Sequence, residues 1–253
     1  INKIGNSVRI WLYNKLSQKE KNKQLFTAAK NGQLTTVNLL LKANADANSS
    51  ECFVFYRGSF GTFTPILAIA AYHGHYAVVK SLLDHGASVD YAYQAGTALY
   101  HAAGKGHTSI VKLLLDYGAD IDCCHHANTN LYPNSLMYAS ANGHEAVVKL
   151  LLDRGANLDR QNDLSHTALT LAASHGHFNI VRLLLDHGAD MNIQTKYCGT
   201  SLNEAVSRGS RATSELLLDR GADVNSPSPI ADGIFNKDGR TPLINSIFQS
   251  HEH

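Results

Sequence analysis

Apolar positions along this chain gather into short runs that return at nearly constant intervals, each closed by a glycine. The segments "GKGHTSIVKLLLDYGAD" at 104–120, "ANGHEAVVKLLLDRGAN" at 141–157 and "SHGHFNIVRLLLDHGAD" at 174–190 share one pattern of apolar and polar positions. "AYHGHYAVVKSLLDHGAS" from 71 and "VSRGSRATSELLLDRGAD" from 206 follow it more loosely. The opening and closing glycines stand 12 apart in Gly74 and Gly86, Gly106 and Gly118, Gly143 and Gly155, Gly176 and Gly188, and Gly209 and Gly221, and Gly32 and Asn44 keep that interval upstream. Nine residues before the opening glycine a short first helix begins, at "TALYHAA" (97), "NSLMYAS" (134), "TALTLAA" (167) and "TSLNEAV" (200). Each unit thus predicts two helices. Ahead of them, Ile4, Val8, Trp11, Leu12 and Leu16 share one face of an amphipathic helix over residues 4–16.

The residue types explain the repetition. Ala102 with Ala103, or Ala172 with Ala173, lets a first helix approach its neighbours closely, and Leu113, Leu114 and Leu115 fill the space between units. Gly118 and its equivalents can adopt the left-handed conformation that stops the second helix. A single unit cannot bury its apolar face, so neighbours stack in one dimension. Opening glycines are separated by 42, 32, 37, 33 and 33 residues, and Thr241 lies 41 after Thr200. Insertions therefore fall in three places, all between units. Two are long, "SSECFVFYRGSFGTF" at 49–63 and "SPSPIADGIFNKDGR" at 226–240, and the third holds "CCHHANTN" at 123–130.

Tandem units of a turn and two helices, with variants of T-P-L-H-x-A opening the first helix, resemble the ankyrin repeat family over residues 23–249. The resemblance implies an all-α solenoid of helix-turn-helix units with finger loops between them. Residues 23–253 would form the repeat domain, about six full repeats and a truncated seventh, and residues 1–22 an N-terminal capping helix and linker. That helix, with the aromatic finger of Phe53, Phe55, Tyr56, Phe60 and Phe63, is expected to hide the terminal apolar face; a docking role for the finger is the alternative. The seventh unit stops where its second helix should begin, which implies further repeats or a domain beyond residue 253, and a start at Ile1 rather than Met suggests that something upstream was removed.

Composition narrows function by exclusion. Of 253 residues 44% are hydrophobic and 17% charged, as in a soluble globular chain. Twenty-two Lys and Arg against 21 Asp and Glu give a net charge of +1, too small an overall field to draw the chain to nucleic acid or an anionic membrane. Apolar runs such as "AVVKLLL" at 146–152 are far too short for membrane insertion. Four cysteines make no disulfide framework, so a reducing, cytoplasmic compartment is expected. No nucleophile elbow, P-loop or H-E-x-x-H is present, so neither a catalytic residue nor a cofactor is expected; "GHEAVV" lacks the second histidine. Of 14 histidines, His75, His107, His144 and His177 follow the opening glycine, a position the resemblance makes structural.

Cys123, Cys124, His125 and His126 are ligand types, but consecutive residues of an extended loop point to opposite sides and cannot converge on one tetrahedral ion. The run reads as a lengthened finger, not a metal site.

In the resembling family, finger tips and the exposed side of the first helices form a concave groove that holds a protein. By register these positions are Ile69, Tyr72 and His73; Tyr93, Gln94, His101 and Lys105; Asn130, Tyr132, Tyr138 and Asn142; Asp163, His166 and His175; and Lys196, Tyr197, Glu204 and Arg208. Tyrosine suits an interface because it brings contact area and a hydroxyl at low entropy cost, although such rings also pad seams between repeats. The expected function is a monomeric protein-binding module within a longer chain. The alternative is the recognition arm of a larger enzyme or of a translocated microbial effector, acting in the host cytosol, whose chemistry lies elsewhere. Replacing His125 and His126 with Ala should leave melting temperature and metal content unchanged; stoichiometric zinc that is lost in the variant would reverse this reading.

Overall fold

The computed structural model describes residues 2–53, 62–92, 96–123 and 133–226. The chain divides into two compact units, Ile1–Ala127 and Asn128–His253. In the first, α1 (Asn2–Asn14) precedes three helix pairs: α2 (Gln18–Lys30) with α3 (Leu34–Lys42), α4 (Ile66–Tyr72) with α5 (Tyr76–Asp84), and α6 (Ala98–Gly104) with α7 (Thr108–Asp116). In the second the pairs are α8 (Ser135–Ala141) with α9 (Glu145–Asp153), α10 (Ala168–Ser174) with α11 (Phe178–Asp186), and α12 (Ser201–Ser207) with α13 (Arg211–Asp219). First helices pack on first helices, α4 between α2 and α6 and α10 between α8 and α12. Second helices likewise follow one another, α3, α5 and α7 in one unit and α9, α11 and α13 in the other.

Local chemistry sets the helix boundaries. The Thr97 hydroxyl accepts from the Tyr100 N–H and the Asn134 amide oxygen from the Met137 N–H, so each satisfies an orphan donor of a seven-residue helix. Thr167 and Thr170 satisfy each other's N–H groups across α10 in a reciprocal cap. Leu40, Leu82 and Leu114 are fully buried in the first unit, and Leu151, Leu184 and Leu217 in the second. Ala70, Ala71, Ala102, Ala103, Ala172 and Ala173 are also fully buried, as close approach of first helices requires.

Two hydrogen-bond series tie repeats together. On the helix side, His75 Nε2 lies 2.9 Å from the Lys30 carbonyl, His107 Nε2 3.2 Å from that of Tyr72, and His177 Nε2 3.0 Å from that of Ala141. Because a carbonyl only accepts, these contacts assign the proton to Nε2. Each acceptor ends the first helix of the preceding repeat, where helical carbonyls lack partners. On the finger side, the Ser88 N–H donates to Asn48 Oδ1 at 2.7 Å, the Asp120 N–H to Asp90 Oδ1 at 3.1 Å, and the Asp190 N–H to Asp159 Oδ1 at 2.9 Å.

The insertion at 49–63 contributes a short ribbon: β1 (Ser50–Phe53) pairs antiparallel with β2 (Thr62–Pro65), Ser50 opposite Pro65 and Phe53 opposite Thr62. Aromatic and β-branched residues at alternate positions suit such a ribbon, with Thr64 buried and its neighbour Phe63 exposed. Phe55, Tyr56 and Phe60 lie outside the described residues, as do His125, His126 and the whole 226–240 insertion after Ser226. The helix α1 packs on α3, but three of the five apolar positions expected to share its docking face are exposed. Leu16 of that face is half-buried together with Asn6, Ile10 and Tyr13, whereas Val8, Trp11 and Leu12 are exposed. Both sides of this helix carry apolar residues at helical spacing, so the pattern offered two docking faces.

Leu184→Ala, in the middle of the second unit, should cost about 2–5 kcal/mol by leaving a cavity between α11 and its neighbours. A urea midpoint that moves by less than the equivalent of about 1 kcal/mol would contradict this packing. Gly143 (φ +78°) and Gly155 (φ +83°) are both left-handed, but a Cβ on Gly143 would stand 2.8 Å from His177 Cε1, whereas one on Gly155 meets nothing within 4 Å. Gly155→Ala should therefore cost about 1–2 kcal/mol from backbone strain alone. Gly143→Ala should cost about 1 kcal/mol more, because His177 must leave its carbonyl. Equal costs in parallel urea titrations would refute the histidine's part.

Candidate functional site

The expected binding positions fall on the fingers and first helices of each unit, and burial sorts them. In the first unit, Ile69 is fully buried and His101 only 5% exposed, so neither belongs to the accessible surface. Stacking closes over the first-helix position that an isolated helix would present. Tyr72 is half-buried, while His73 and Lys105 remain exposed. Tyr72 meets His101 edge-on at 5.7 Å and His73 at 5.1 Å, and Lys105 Nζ stands 4.6 Å above its ring. The Tyr72 ring thus serves chiefly as seam packing. Burial lowers the His73 pKa below the ordinary histidine value, and the nearby His75, Lys30, His107 and Lys105 push in the same direction. Tyr93 and Gln94 lie outside the described residues.

In the second unit the surface is more open. Tyr138 is half-buried, and its carbonyl accepts from Asn142 Nδ2 at 2.8 Å, which holds the exposed Asn142 against the end of α8. His175 is exposed, its ring stacked on His177 at 6.1 Å. Asn130 and Tyr132 lie outside the described residues.

Two fingers of this unit are rigidly built. Asn162 Oδ1 accepts from the N–H groups of Leu164 and His166, at 3.0 and 2.9 Å, around Ser165 at φ +59°. The Lys196 N–H then donates to the Leu164 carbonyl at 3.0 Å, which joins this finger to the next. There a bridge pairs Thr195 with Gly199, and the Cys198 N–H donates to Thr195 Oγ1 at 3.0 Å. Tyr197, at the tip of that closed turn, is 59% exposed.

Behind Tyr197 the chemistry is buried. Glu204, expected on the surface, is 4% exposed, and Arg208 beyond it is exposed. His166 is half-buried, and its Nδ1 has no hydrogen-bond partner among the described residues. Burial lowers its pKa, the Glu204 carboxylate opposes that shift, and His175 reinforces it. Burial first, then the Glu204 carboxylate, raise the Cys198 thiol above its ordinary value, with Arg208 opposing. A thiol shifted that way stays protonated, the reverse of an activated nucleophile. Register had marked Lys196 and Tyr197 but passed over Cys198, whose position two residues before the Thr200 cap was the available signal.

Among the described residues, no group of three or more His, Cys, Asp or Glu side chains could hold a metal ion, and no helix is long and apolar enough to cross a membrane. Among the described residues the arrangement offers an accessible aromatic tip and flanking polar groups.

A family model described as ankyrin repeats (3 copies) matches residues 25–125 and again 136–228. Comparison with curated proteins gives no match. Both stretches coincide with the stacked helix pairs, and ankyrin repeats are in general protein–protein interaction modules rather than catalysts. With that match spanning most of its length and both sets of stacked helix pairs, the chain belongs to the ankyrin repeat family.

Proposed function

We propose that this protein binds a protein partner on the finger and first-helix surface of its second unit, with Tyr197 as the leading anchor. The observation that carries this reading is the exposure of Tyr197 on a finger already closed by hydrogen bonds. A ring held in place before binding loses little entropy when a partner covers it, so its buried area goes further towards affinity. Tyr138, Asn142, His175 and Arg208 supply further accessible groups in the same unit. In the first unit Lys105 offers a cationic group beside the packed Tyr72 ring, and His73, its pKa lowered, an exposed neutral imidazole. His101 and Glu204 are assigned to the scaffold, because a partner cannot reach them without opening the stack. A cytoplasmic setting is part of this reading, because four cysteines make no disulfide framework.

The test starts with affinity capture from lysate and mass spectrometry to identify the partner, followed by titration of variants at one salt concentration. Tyr197→Ala should weaken binding by about 1–3 kcal/mol with helical content unchanged, and Tyr138→Ala should weaken it to a similar or smaller extent. Lys149→Ala, on the exposed side of α9, should leave affinity within about 0.5 kcal/mol. An effect of Lys149→Ala equal to that of Tyr197→Ala would move the binding surface to the second helices.

A further inference from the structure

The α1 helix leaves three apolar side chains, one of them a tryptophan, exposed. Asn6, Ile10 and Tyr13 occupy its half-buried side, and the helix packs on α3. Val8, Trp11 and Leu12 lie within a turn of one another, 53%, 57% and 52% exposed. Grouped exposed apolar residues mark an interaction surface, whereas scattered ones do not. Lys15, one turn beyond Trp11, sets its Nζ 4.3 Å from the indole centroid, so its aliphatic stem runs along the same face.

Charge is segregated in the same place. No acidic residue occurs in α1, and residues 1–24 hold six Lys and Arg against the single Glu20. The remaining residues hold 16 Lys and Arg against 20 Asp and Glu, a net charge of −4. A chain of overall charge +1 is therefore a basic leading segment joined to an acidic body. Arg9, Lys15, Lys19 and Lys23 are all exposed.

We propose that α1 is an in-plane membrane anchor, laying Val8, Trp11 and Leu12 into the headgroup boundary of an anionic bilayer while Arg9, Lys15 and Lys19 meet lipid phosphates. A helix that joins an apolar face to flanking cations and lacks acids has the composition of an interfacial helix. The indole ring, apolar in body and polar at N–H, favours that boundary. Thirteen residues give a length of about 20 Å, too short to cross a hydrocarbon core of about 30 Å but sufficient to lie in its surface. A hydrophobic protein groove would take the apolar triad but gives no reason for the cations around it. Anionic lipid accounts for both, and the cytoplasmic leaflet carries that charge. The near-neutral total had argued against a membrane surface only because it averaged two oppositely charged parts.

The test uses the full chain, in which Trp11 is the sole tryptophan and reports on this face alone. Vesicles of phosphatidylcholine mixed with phosphatidylserine should shift its emission to the blue and carry the protein down on sedimentation, and added salt should reverse both effects. Vesicles of phosphatidylcholine alone should bind at least roughly tenfold more weakly, as the loss of anionic attraction requires. Val8→Ser with Leu12→Ser should abolish sedimentation, and Arg9→Gln with Lys15→Gln should weaken it by roughly tenfold or more. All four side chains are exposed, so circular dichroism should stay unchanged. The proposal is overturned by no response to either vesicle, by equal binding to both, or by sedimentation that survives the serine pair. It is equally overturned by a blue shift that grows with protein concentration without lipid, which would put a second copy on the face. Neither readout involves a protein partner, so failure here leaves the Tyr197 reading standing, and the reverse holds.

Discussion

A seven-residue helix leaves its last carbonyls without partners, and most of its apolar surface has nowhere to go. Every first helix after α2 has that length, from α4 through α12. The solution lies in the neighbour: His75, His107 and His177 each reach back to the carbonyl that ends the preceding first helix, while leucines of the second helices close the gap behind. The left-handed glycine makes this possible, because the next repeat's histidine ring occupies the space where a Cβ would stand on Gly32, Gly74 and Gly143. Helix length, glycine and histidine are parts of one constraint.

The same closeness decides which side chains can serve recognition. Packing first helix against first helix removes Ile69, His101 and Glu204 from the surface and leaves Tyr72 half-covered among its aromatic neighbours. Accessibility survives where the chain leaves the helices, at finger tips such as Tyr197, and at helix ends such as Asn142, His175 and Arg208. Accessible groups thus concentrate on segments that can vary without disturbing the stack.

The repeat architecture was legible because Gly-to-Gly spacing and the short helix openings record backbone requirements that no neighbour can change. Burial of the first-helix positions was less legible, since it depends on which side chain the adjacent repeat brings: register marked His101 and Glu204 as surface, and stacking covered both. The docking face of α1 was ambiguous for a related reason. Ile10 with Tyr13, and Val8 with Leu12, both have helical spacing, and only the three-dimensional position of α3 selects between them. The β1–β2 ribbon was hidden inside what read as an insertion, because four-residue strands carry little periodic signal. Cys198 escaped notice for want of a pattern; its environment comes from Glu204, which belongs to a helix.

Of the helix pairs that have a described one before them, α12–α13 departs from the histidine rule. Ser210 stands where the four preceding pairs have histidine, and its hydroxyl donates to Thr213 Oγ1 within its own turn instead of reaching back to the preceding helix. The α12–α13 repeat is still joined to the one before it by the leucine packing and by the Arg220–Asp186 ion pair on the surface, but surface pairs contribute little. A local opening that parts α12–α13 from α10–α11 therefore has no histidine bond to break, whereas one that parts α10–α11 from α8–α9 must break that of His177, so amide exchange should report the two seams separately.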